Sequence, residues 1–245
     1  MIFETDELAS ASAKSFAQKL AETLDQWLEA RLCGAYLLGS LAHGGFSRRY
    51  SDLDMALVVD DGLTERELSN IRKAATELSP TWNARLSIFW SDPDFVVGRF
   101  PPLDLVDYLD HSSVLVERRR AAPPRPMLNE IRSYLAGAPL QGWAASAHKF
   151  AAQAELGSNE YKGYLRALLY AARFILSWRT GRIGSNDEAV AYLRAAAPAG
   201  MDIEVVAMAL QCRRRAEDPI GLWEYRGVLP THIGACRRLS FQSGK

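Results

Sequence analysis

The sequence has few of the residues that build disulfide frameworks or zinc sites. Its 245 residues include only three cysteines and four histidines. The cysteines are odd in number and far apart, and His111, His148 and His232 have no ligand-like spacing to one another or to a cysteine. This pattern argues against a disulfide framework and a zinc site, and it predicts that the thiols are buried.

The chain also lacks a long apolar run and an excess of charge of either sign. No stretch approaches the roughly 18 apolar residues of a membrane span, and Glu4, Asp6 and Glu7 precede any apolar run at the N-terminus. Lysine plus arginine number 29, as do aspartate plus glutamate, so the composition provides no basic surface for nucleic acid phosphates. We therefore expect a cytoplasmic protein that acts on a small molecule, with no membrane or nucleic acid partner.

The composition is that of an ordered globular protein, and the length favours two modest domains. Hydrophobic residues make up 48% of the chain and charged residues 24%, close to the averages for soluble proteins. The basic run Arg118–Arg120 is followed by three prolines within 121–126, which prevent a continuous helix. We predict a linker here, with one domain at 1–120 and a second at 121–245.

Helical and strand patterns alternate in the first domain. They predict helices at 7–31, 64–78 and 104–111, and strands at 35–38, 53–59 and 85–90. Thr64, with Glu67 three residues later, has the form of a capping box that opens the second helix. An apolar run, Val114–Val116, precedes the linker. This order of elements indicates an α/β domain.

Strand patterns are absent beyond residue 128, and alanine-rich helical patterns replace them. Helices are predicted around 128–136, 143–155, 159–180, 187–196 and 202–216. The helix at 159–180 carries six polar residues within an arc of about 80°, which we call the polar stripe: Asn159, Lys162, Arg166, Tyr170, Arg173 and Ser177. Such a stripe is either a solvent-exposed face or a set of cations that meets phosphates or an acidic acceptor in a cleft between the domains. Arg173, which apolar residues flank on both sides, is the candidate for nucleotide contact.

Two short motifs in the first domain contain the candidate phosphate-binding and metal-binding residues. Gly39 and Ser40 directly follow a strand, where a missing side chain lets backbone N–H groups approach a phosphate and the hydroxyl adds a donor. Successive strand side chains point to opposite faces, so Asp52 and Asp54 project together from one side. Paired carboxylates with phosphate oxygens nearby form a site that Mg²⁺ prefers. Arg48, in the loop between the motifs, is either a contact for a triphosphate or a solvent-exposed charge that favours solubility.

The segment Leu38–Gly44, followed by Ser51–Asp54, resembles the signature of the polymerase β nucleotidyltransferase superfamily. In the second half, Leu168–Arg173 with Thr180–Ile183 beyond it is similar to the C-terminal domain of aminoglycoside adenylyltransferases of the streptomycin and spectinomycin type. The resemblance implies an α/β (α+β) nucleotidyltransferase domain with a small mixed sheet, followed by an all-α helical bundle domain. It also implies transfer of a nucleoside monophosphate, AMP from Mg-ATP, to a hydroxyl of a small-molecule acceptor.

The resemblance also implies roles for individual residues. Gly39 and Ser40 would bind the nucleotide triphosphate. Asp52 and Asp54 would be the catalytic carboxylates and would ligate one or two Mg²⁺ ions. The acceptor and the oligomeric state are not specified by any pattern in the chain.

One position departs from the superfamily pattern. Family members place a third carboxylate on the following strand, often as the base for the acceptor hydroxyl, and Ser87 stands there in this sequence. A serine is not a carboxylate base, and it is a weaker metal ligand. Three explanations stay open. Asp92, Asp94 or Asp104 replaces the missing acid; the base comes from the helical domain or from the acceptor; or the protein is a catalytically weakened nucleotide-binding or regulatory protein.

Overall fold

A computed structural model describes residues 6–196 and 198–242. Contacts within the chain divide it into two compact units, Met1–Arg125 and Pro126–Lys245. The division lies five residues beyond the predicted end of the first domain at residue 120, at the last of the linker prolines.

Five strands form the sheet of the first unit. They are β1 (Leu32–Leu38), β2 (Leu53–Val59), β3 (Leu86–Ser91), β4 (Gly98–Arg99) and β5 (Ser113–Glu117). Their order across the sheet is β4-β3-β2-β1-β5, with β2 and β3 parallel and each of the other neighbouring pairs antiparallel. The small mixed sheet that the resemblance implied is therefore confirmed.

Helices cover both faces of this sheet. They are α1 (Asp6–Leu28), α2 (Ser40–His43), α3 (Glu65–Leu78), α4 (Pro80–Asn83) and α5 (Pro102–His111). On one face Met55 of β2 belongs to a buried apolar cluster with Leu20 of α1 and Ile71 of α3. On the other face Val58 of β2 belongs to a second cluster with Tyr108 of α5. Residues of β2 therefore alternate between a face covered by α1 and α3 and a face covered by α5.

The first unit contains more elements than the sequence predicts. The strand at 53–59 and the helix that Thr64 opens have the predicted bounds, whereas β4, β5, α2 and α4 were not predicted. Both additional strands are short and lie at the edges of the sheet. Val114 of β5 is 49% exposed, so this strand lacks the alternation of a half-buried strand and depends on pairing with β1.

The start of α3 is held by a reciprocal capping box. The Thr64 N–H donates to the Glu67 carboxylate at 2.8 Å, and the Glu67 N–H donates to the Thr64 hydroxyl at 3.2 Å. Arg31 also donates to Glu67 at 2.6 Å. The backbone bond from Thr64, followed by the Arg31 bond, lowers the pKa of Glu67 from 4.5 to about 2.

Replacing Glu67 with glutamine is expected to destabilise the first unit in a pH-dependent way. Because the folded state lowers the pKa of Glu67, the ionised carboxylate stabilises the fold above pH 4.5, and this contribution is lost as the pH falls towards about 2. The free energy of unfolding should drop by about 1 kcal/mol at pH 7, and the difference should shrink below pH 4.5. Urea titrations at several pH values measure it. Glu77→Gln, at the exposed end of α3, is the control, and an equal pH-dependent loss there would contradict the assignment.

The second unit is an all-α bundle, as predicted. Its helices are α6 (Leu128–Ala136), α7 (Ala138–Ala152), α8 (Tyr161–Thr180), α9 (Asn186–Ala196), α10 (Ile203–Arg214) and α11 (Leu229–Gln242), with a 3₁₀ helix at Pro219–Val228. Helix α8 contacts each of the other five α-helices, and its apolar residues are buried through most of its length. Among the described helices none is long and apolar enough to cross a membrane.

Two helices of the bundle differ from the prediction. Helix α7 begins at Ala138 rather than near residue 143, because Pro139 lies in its first turn, where a missing N–H is tolerated. Helix α11 was not predicted. Gly234 and Thr231 give this segment weak helix propensity, but Ile233 and Cys236 are buried, so packing stabilises it.

Candidate active site

One predicted metal ligand, Asp54, lies on β2, and the other, Asp52, immediately precedes this strand. Leu53, Met55 and Leu57 all belong to the apolar cluster under α1 and α3. Strand alternation then places Asp54 on the opposite face, the one that α5 covers. Both aspartates are partly exposed, and Asp54 is paired with Leu38 at the end of β1. The end of β1 and the start of β2 therefore meet at the carboxylates.

Gly39, in the turn that follows β1, packs against Asp54. Its backbone has φ 63° and ψ −151°, a region that is essentially restricted to glycine. A Cβ atom on Gly39 would lie 2.4 Å from Asp54 Oδ2. The Gly39 carbonyl accepts hydrogen bonds from the Ala42 and His43 N–H groups, both at 2.9 Å. The turn is thus a tight helical turn packed directly against Asp54.

Three serines connect this turn to the loop before β2. Ser40 Oγ donates to Ser51 Oγ at 3.0 Å, and Ser51 Oγ accepts from the Ser47 N–H at 2.9 Å. Ser47 and Ser51 are both buried, whereas Ser40 is partly exposed. The Ser40 hydroxyl, which the sequence predicts as a phosphate donor, is therefore the partly exposed end of a small hydrogen-bond network. The buried part of this network stabilises the loop before β2.

Arg85, just before β3, holds the backbone of the same loop. Its Nη1 donates to the Arg48 carbonyl at 2.7 Å, and its Nε donates to the Ser51 carbonyl at 3.0 Å. The Arg48 N–H in turn donates to Asp6 at 2.9 Å. Sequence analysis missed Arg85, because a guanidinium bound to carbonyls 34 and 37 positions away leaves no local pattern. The backbone of Arg48, the candidate nucleotide contact, is fixed at both its N–H and its carbonyl.

The strand register places a serine beside Asp54. In the parallel pair of β2 and β3, Asp54 lies opposite Ser87, which is the register inferred from the sequence. Within 6–196 and 198–242 no group of three or more histidine, cysteine, aspartate or glutamate side chains is arranged to hold a metal ion. The position of β3 beside Asp54 therefore carries a hydroxyl where the superfamily pattern has a carboxylate.

Two of the three acids considered as replacements lie at the wrong end of the sheet. Asp92 follows the far end of β3, five residues and about 16 Å along the strand from Ser87. Its carboxylate accepts from the Val97 N–H at 3.0 Å and the Val96 N–H at 2.8 Å. These bonds, the one from Val97 first, hold the pKa of Asp92 below its usual 3.8, so this side chain caps a loop. Asp94 is exposed in that loop.

Helix α5 supplies the acidic residues that do lie near the turn. Asp104, the third replacement considered, is partly exposed in its first turn. Asp107, one turn later, is 3% exposed, and its Oδ2 accepts the Gly39 N–H at 2.7 Å. The Gly39 N–H that the sequence predicts as a phosphate donor is therefore bound to a carboxylate. Asp107 was missed because its partner is 68 residues away.

Two histidines lie beside this turn. The rings of His43 in α2 and His111 at the end of α5 are 5.6 Å apart, edge to face. His111 lies four residues after Asp107, so the two share one side of α5. Polar residues of α5 therefore face the turn that carries Ser40.

In the second unit the polar stripe is exposed for most of its length. Asn159, Arg166 and Arg173 are exposed, and Ser177 is buried. Arg173, the candidate nucleotide contact, thus projects from an otherwise buried helix. Glu160, which precedes the helix, binds Lys149 at 2.8 Å and also accepts from Gln153 and the Gly157 N–H. These contacts occupy the Glu160 carboxylate and stabilise the start of α8.

A pocket of about 560 Å³ lies elsewhere in the second unit, between the start of α10 and the start of α11. Its lining includes Asp202, Glu204, Thr231 and His232. His232 is buried and accepts the Asp202 N–H at 3.0 Å, and burial lowers its pKa to about 4. The ring is therefore neutral at pH 7, and none of the predicted site residues lines this pocket.

The carboxylate pair fits a magnesium ion. Mg²⁺ is commonly bound by one or two protein carboxylates together with substrate phosphates and water, rather than by a complete cage of side chains. Asp54 and Asp52, two residues earlier, provide two such candidate ligands. The missing side chain of Gly39 lets the turn pack directly against Asp54 Oδ2, where a Cβ atom would lie at 2.4 Å. Residues present at the site therefore suit a metal that arrives with a nucleotide.

Comparison with known structures agrees with this architecture. The crystal structure of spectinomycin adenyltransferase AAD(9) from Enterococcus faecialis, with ATP and spectinomycin, matches 94% of this chain and 98% of its own with a TM-score of 0.64. The chain therefore shares the fold of that adenyltransferase. The two sequences are 16% identical, so the similarity establishes the fold. No protein-family model and no curated protein sequence matches the chain.

Proposed function

We propose that this protein is a nucleotidyltransferase that transfers AMP from Mg-ATP to a hydroxyl of a small molecule and releases pyrophosphate. The observation that carries the proposal is the contact between Gly39 and Asp54. It joins the proposed phosphate-binding turn, at the end of β1, to Asp54 near the start of β2, and both strands lie in the interior of the sheet. The adenyltransferase of similar fold was crystallised with ATP, which supports ATP as the nucleotide.

Residues of the first unit have distinct roles in this proposal. Asp52 and Asp54 hold the metal ion, and the Ser40 hydroxyl binds a phosphate oxygen. Arg48 is the candidate cation for the triphosphate in this unit, and the assignment of Arg173, in the second unit, to nucleotide contact stays a prediction from the sequence. Gly39 contributes its missing side chain rather than its N–H, because that N–H is bound to Asp107.

The reaction is an in-line displacement at the α-phosphorus. The acceptor oxygen forms a bond to this phosphorus and its proton passes to water, while the bond to the oxygen that bridges to the β-phosphate breaks and pyrophosphate leaves. A bound Mg²⁺ would neutralise phosphate charge during this exchange. Because phosphoryl transfer depends mainly on positioning and electrostatic stabilisation, the serine at position 87 is compatible with turnover.

The acceptor we propose is an aminocyclitol-type molecule with free hydroxyl groups. The adenyltransferase of similar fold binds spectinomycin, and the balanced charge of this chain, 29 basic against 29 acidic residues, disfavours a nucleic acid acceptor. The cytoplasmic location is a prediction from the sequence and stays one.

Pyrophosphate release tests the proposal. The full-length protein is incubated with Mg²⁺ and each of the four ribonucleoside triphosphates, with and without spectinomycin, streptomycin and related aminocyclitols. We expect acceptor-dependent release with ATP that EDTA abolishes. Calorimetry with Mg-ATP measures binding separately. Binding with no release for any acceptor would contradict transfer, and the absence of both would also remove nucleotide binding.

A further inference from the structure

The buried aspartate of α5 lies on the same face of the sheet as the candidate metal ligand Asp54. Asp107 is 3% exposed, and its neighbours Val106 and Tyr108 are fully buried. Tyr108 belongs to the apolar cluster that contains Ala56 and Val58 of β2, and strand alternation places Asp54 on the same face as these two residues. A residue at this position that served packing alone would be apolar, because a buried carboxylate lowers stability unless its oxygens are bound.

Asp107 acts on one backbone group of the phosphate-binding turn. Its Oδ2 accepts the Gly39 N–H at 2.7 Å. The Gly39 carbonyl is bound as well, by the N–H groups of Ala42 and His43. Both hydrogen-bonding groups of Gly39 are therefore occupied, and its unusual backbone conformation is held from two sides.

The position of Gly39 affects both Asp54 and Ser40. Gly39 is in contact with Asp54 on one side, since its Cβ position lies 2.4 Å from Asp54 Oδ2, and Ser40 follows it in the chain. With standard backbone geometry, Asp107 Oδ2, which accepts the Gly39 N–H, and Asp54 Oδ2, which lies beside the Cβ position, are separated by about 8 Å or less. A shift of Gly39 would move Ser40 and would change the space beside Asp54.

We propose that Asp107 is a positioning residue of this site, which fixes the Gly39 turn so that Ser40 and Asp54 are held for the nucleotide. The proposal rests on the proposed nucleotidyltransferase function. The hydrogen-bond acceptor is the required property, not the negative charge. The other carboxylate oxygen, Oδ1, is buried and has no hydrogen-bond partner among the residues that the structure describes, so it is not the group that contacts the turn.

Three substitutions of Asp107 distinguish the effect of its acceptor oxygen from the effect of its negative charge. Asp107→Asn keeps an acceptor oxygen at the same place and removes the charge, Asp107→Glu keeps the charge and moves the carboxylate by one methylene, and Asp107→Ala removes the acceptor. We expect the asparagine variant to stay within about threefold of the wild type in kcat/KM for Mg-ATP, and the alanine and glutamate variants to lose about 30-fold. The loss should include a raised KM for Mg-ATP. Asp110→Ala, on the same helix and ion-paired with Arg125 at the surface, is the matched control and should retain wild-type activity.

Amide hydrogen exchange provides a measurement that needs no turnover. In the ligand-free protein, the peptide that contains Gly39 should exchange faster in Asp107→Ala than in the wild type, and Asp107→Asn should match the wild type. Wild-type kcat/KM in the alanine variant would overturn the proposal. Equal losses in the asparagine and alanine variants, with an active glutamate variant, would also overturn it, because charge would then be the required property. If the wild type releases no pyrophosphate, the proposed function fails, whereas unchanged exchange at the Gly39 peptide removes the positioning role by itself.

Discussion

Replacing Asp54 with asparagine is expected to lower the rate of pyrophosphate release by about 1,000-fold, the loss expected when several kcal/mol of charge stabilisation by a bound metal disappears. Asparagine has the shape of aspartate but no negative charge, so it is a poor ligand for Mg²⁺. Asp54 is the carboxylate in contact with the Gly39 turn and lies opposite Ser87. No second carboxylate stands in register with it on β3 to take over its role.

The fold of this variant should be unchanged, since the substitution is isosteric and Asp54 is partly exposed. Asp61→Asn is the matched control. Asp61 is exposed just beyond the other end of β2, with φ 64°, a conformation that asparagine also tolerates. The assay compares initial rates of pyrophosphate release at saturating Mg-ATP, and thermal unfolding checks both folds. More than a tenth of wild-type activity in Asp54→Asn would exclude it as an essential metal ligand.

Replacing Gly39 with alanine is expected to impair both activity and stability. The new Cβ would lie 2.4 Å from Asp54 Oδ2, about 1 Å closer than an ordinary contact, so the turn or the carboxylate must move. A displacement of this size costs about 100-fold in rate when it misplaces reacting groups. The backbone at φ 63° and ψ −151° also becomes strained, which should lower the free energy of unfolding by about 2 kcal/mol.

A substitution at a second glycine is a control that should change stability in the opposite direction. Gly142 lies within α7, and a Cβ there would meet no atom within 4 Å. Gly142→Ala should stabilise the protein by about 0.5–1 kcal/mol and leave kcat/KM unchanged. Urea unfolding and the pyrophosphate assay measure both quantities for the two variants. Equal stability of Gly39→Ala and the wild type would show that the turn is not constrained as the structure indicates.

The parts of the fold that were predicted correctly are those with strong local signals. The strand β2 combines apolar and branched residues, and α3 begins with a Thr64–Glu67 capping box, so both elements have the predicted bounds. The strands β4 and β5 were missed because a short edge strand is stabilised by its partner rather than by its own pattern. Helix α11 was missed because burial of residues such as Cys236 compensates for weak propensity.

The candidate site likewise contains features that follow from local sequence patterns and features that do not. The sequence places Gly39 and Ser40 after one strand and Asp52 and Asp54 on the next, and strand alternation alone puts the two carboxylates on one face. It also aligns Ser87 with Asp54, and the register of β2 and β3 has this alignment. Of the acids considered as replacements, Asp92 and Asp94 lie beyond the end of β3 that is far from Ser87, and Asp104 stays a prediction.

By itself, the sequence determined the order of a glycine–serine turn and a pair of carboxylates, because alternation and turn chemistry are properties of neighbouring residues. Only the tertiary structure decided what surrounds them. Packing of α5 against the sheet brings Asp107 to the Gly39 N–H across 68 residues, and the loop before β2 is fastened by Arg85 from a later segment. Such contacts depend on how separate elements pack, and no periodic pattern in the chain encodes them.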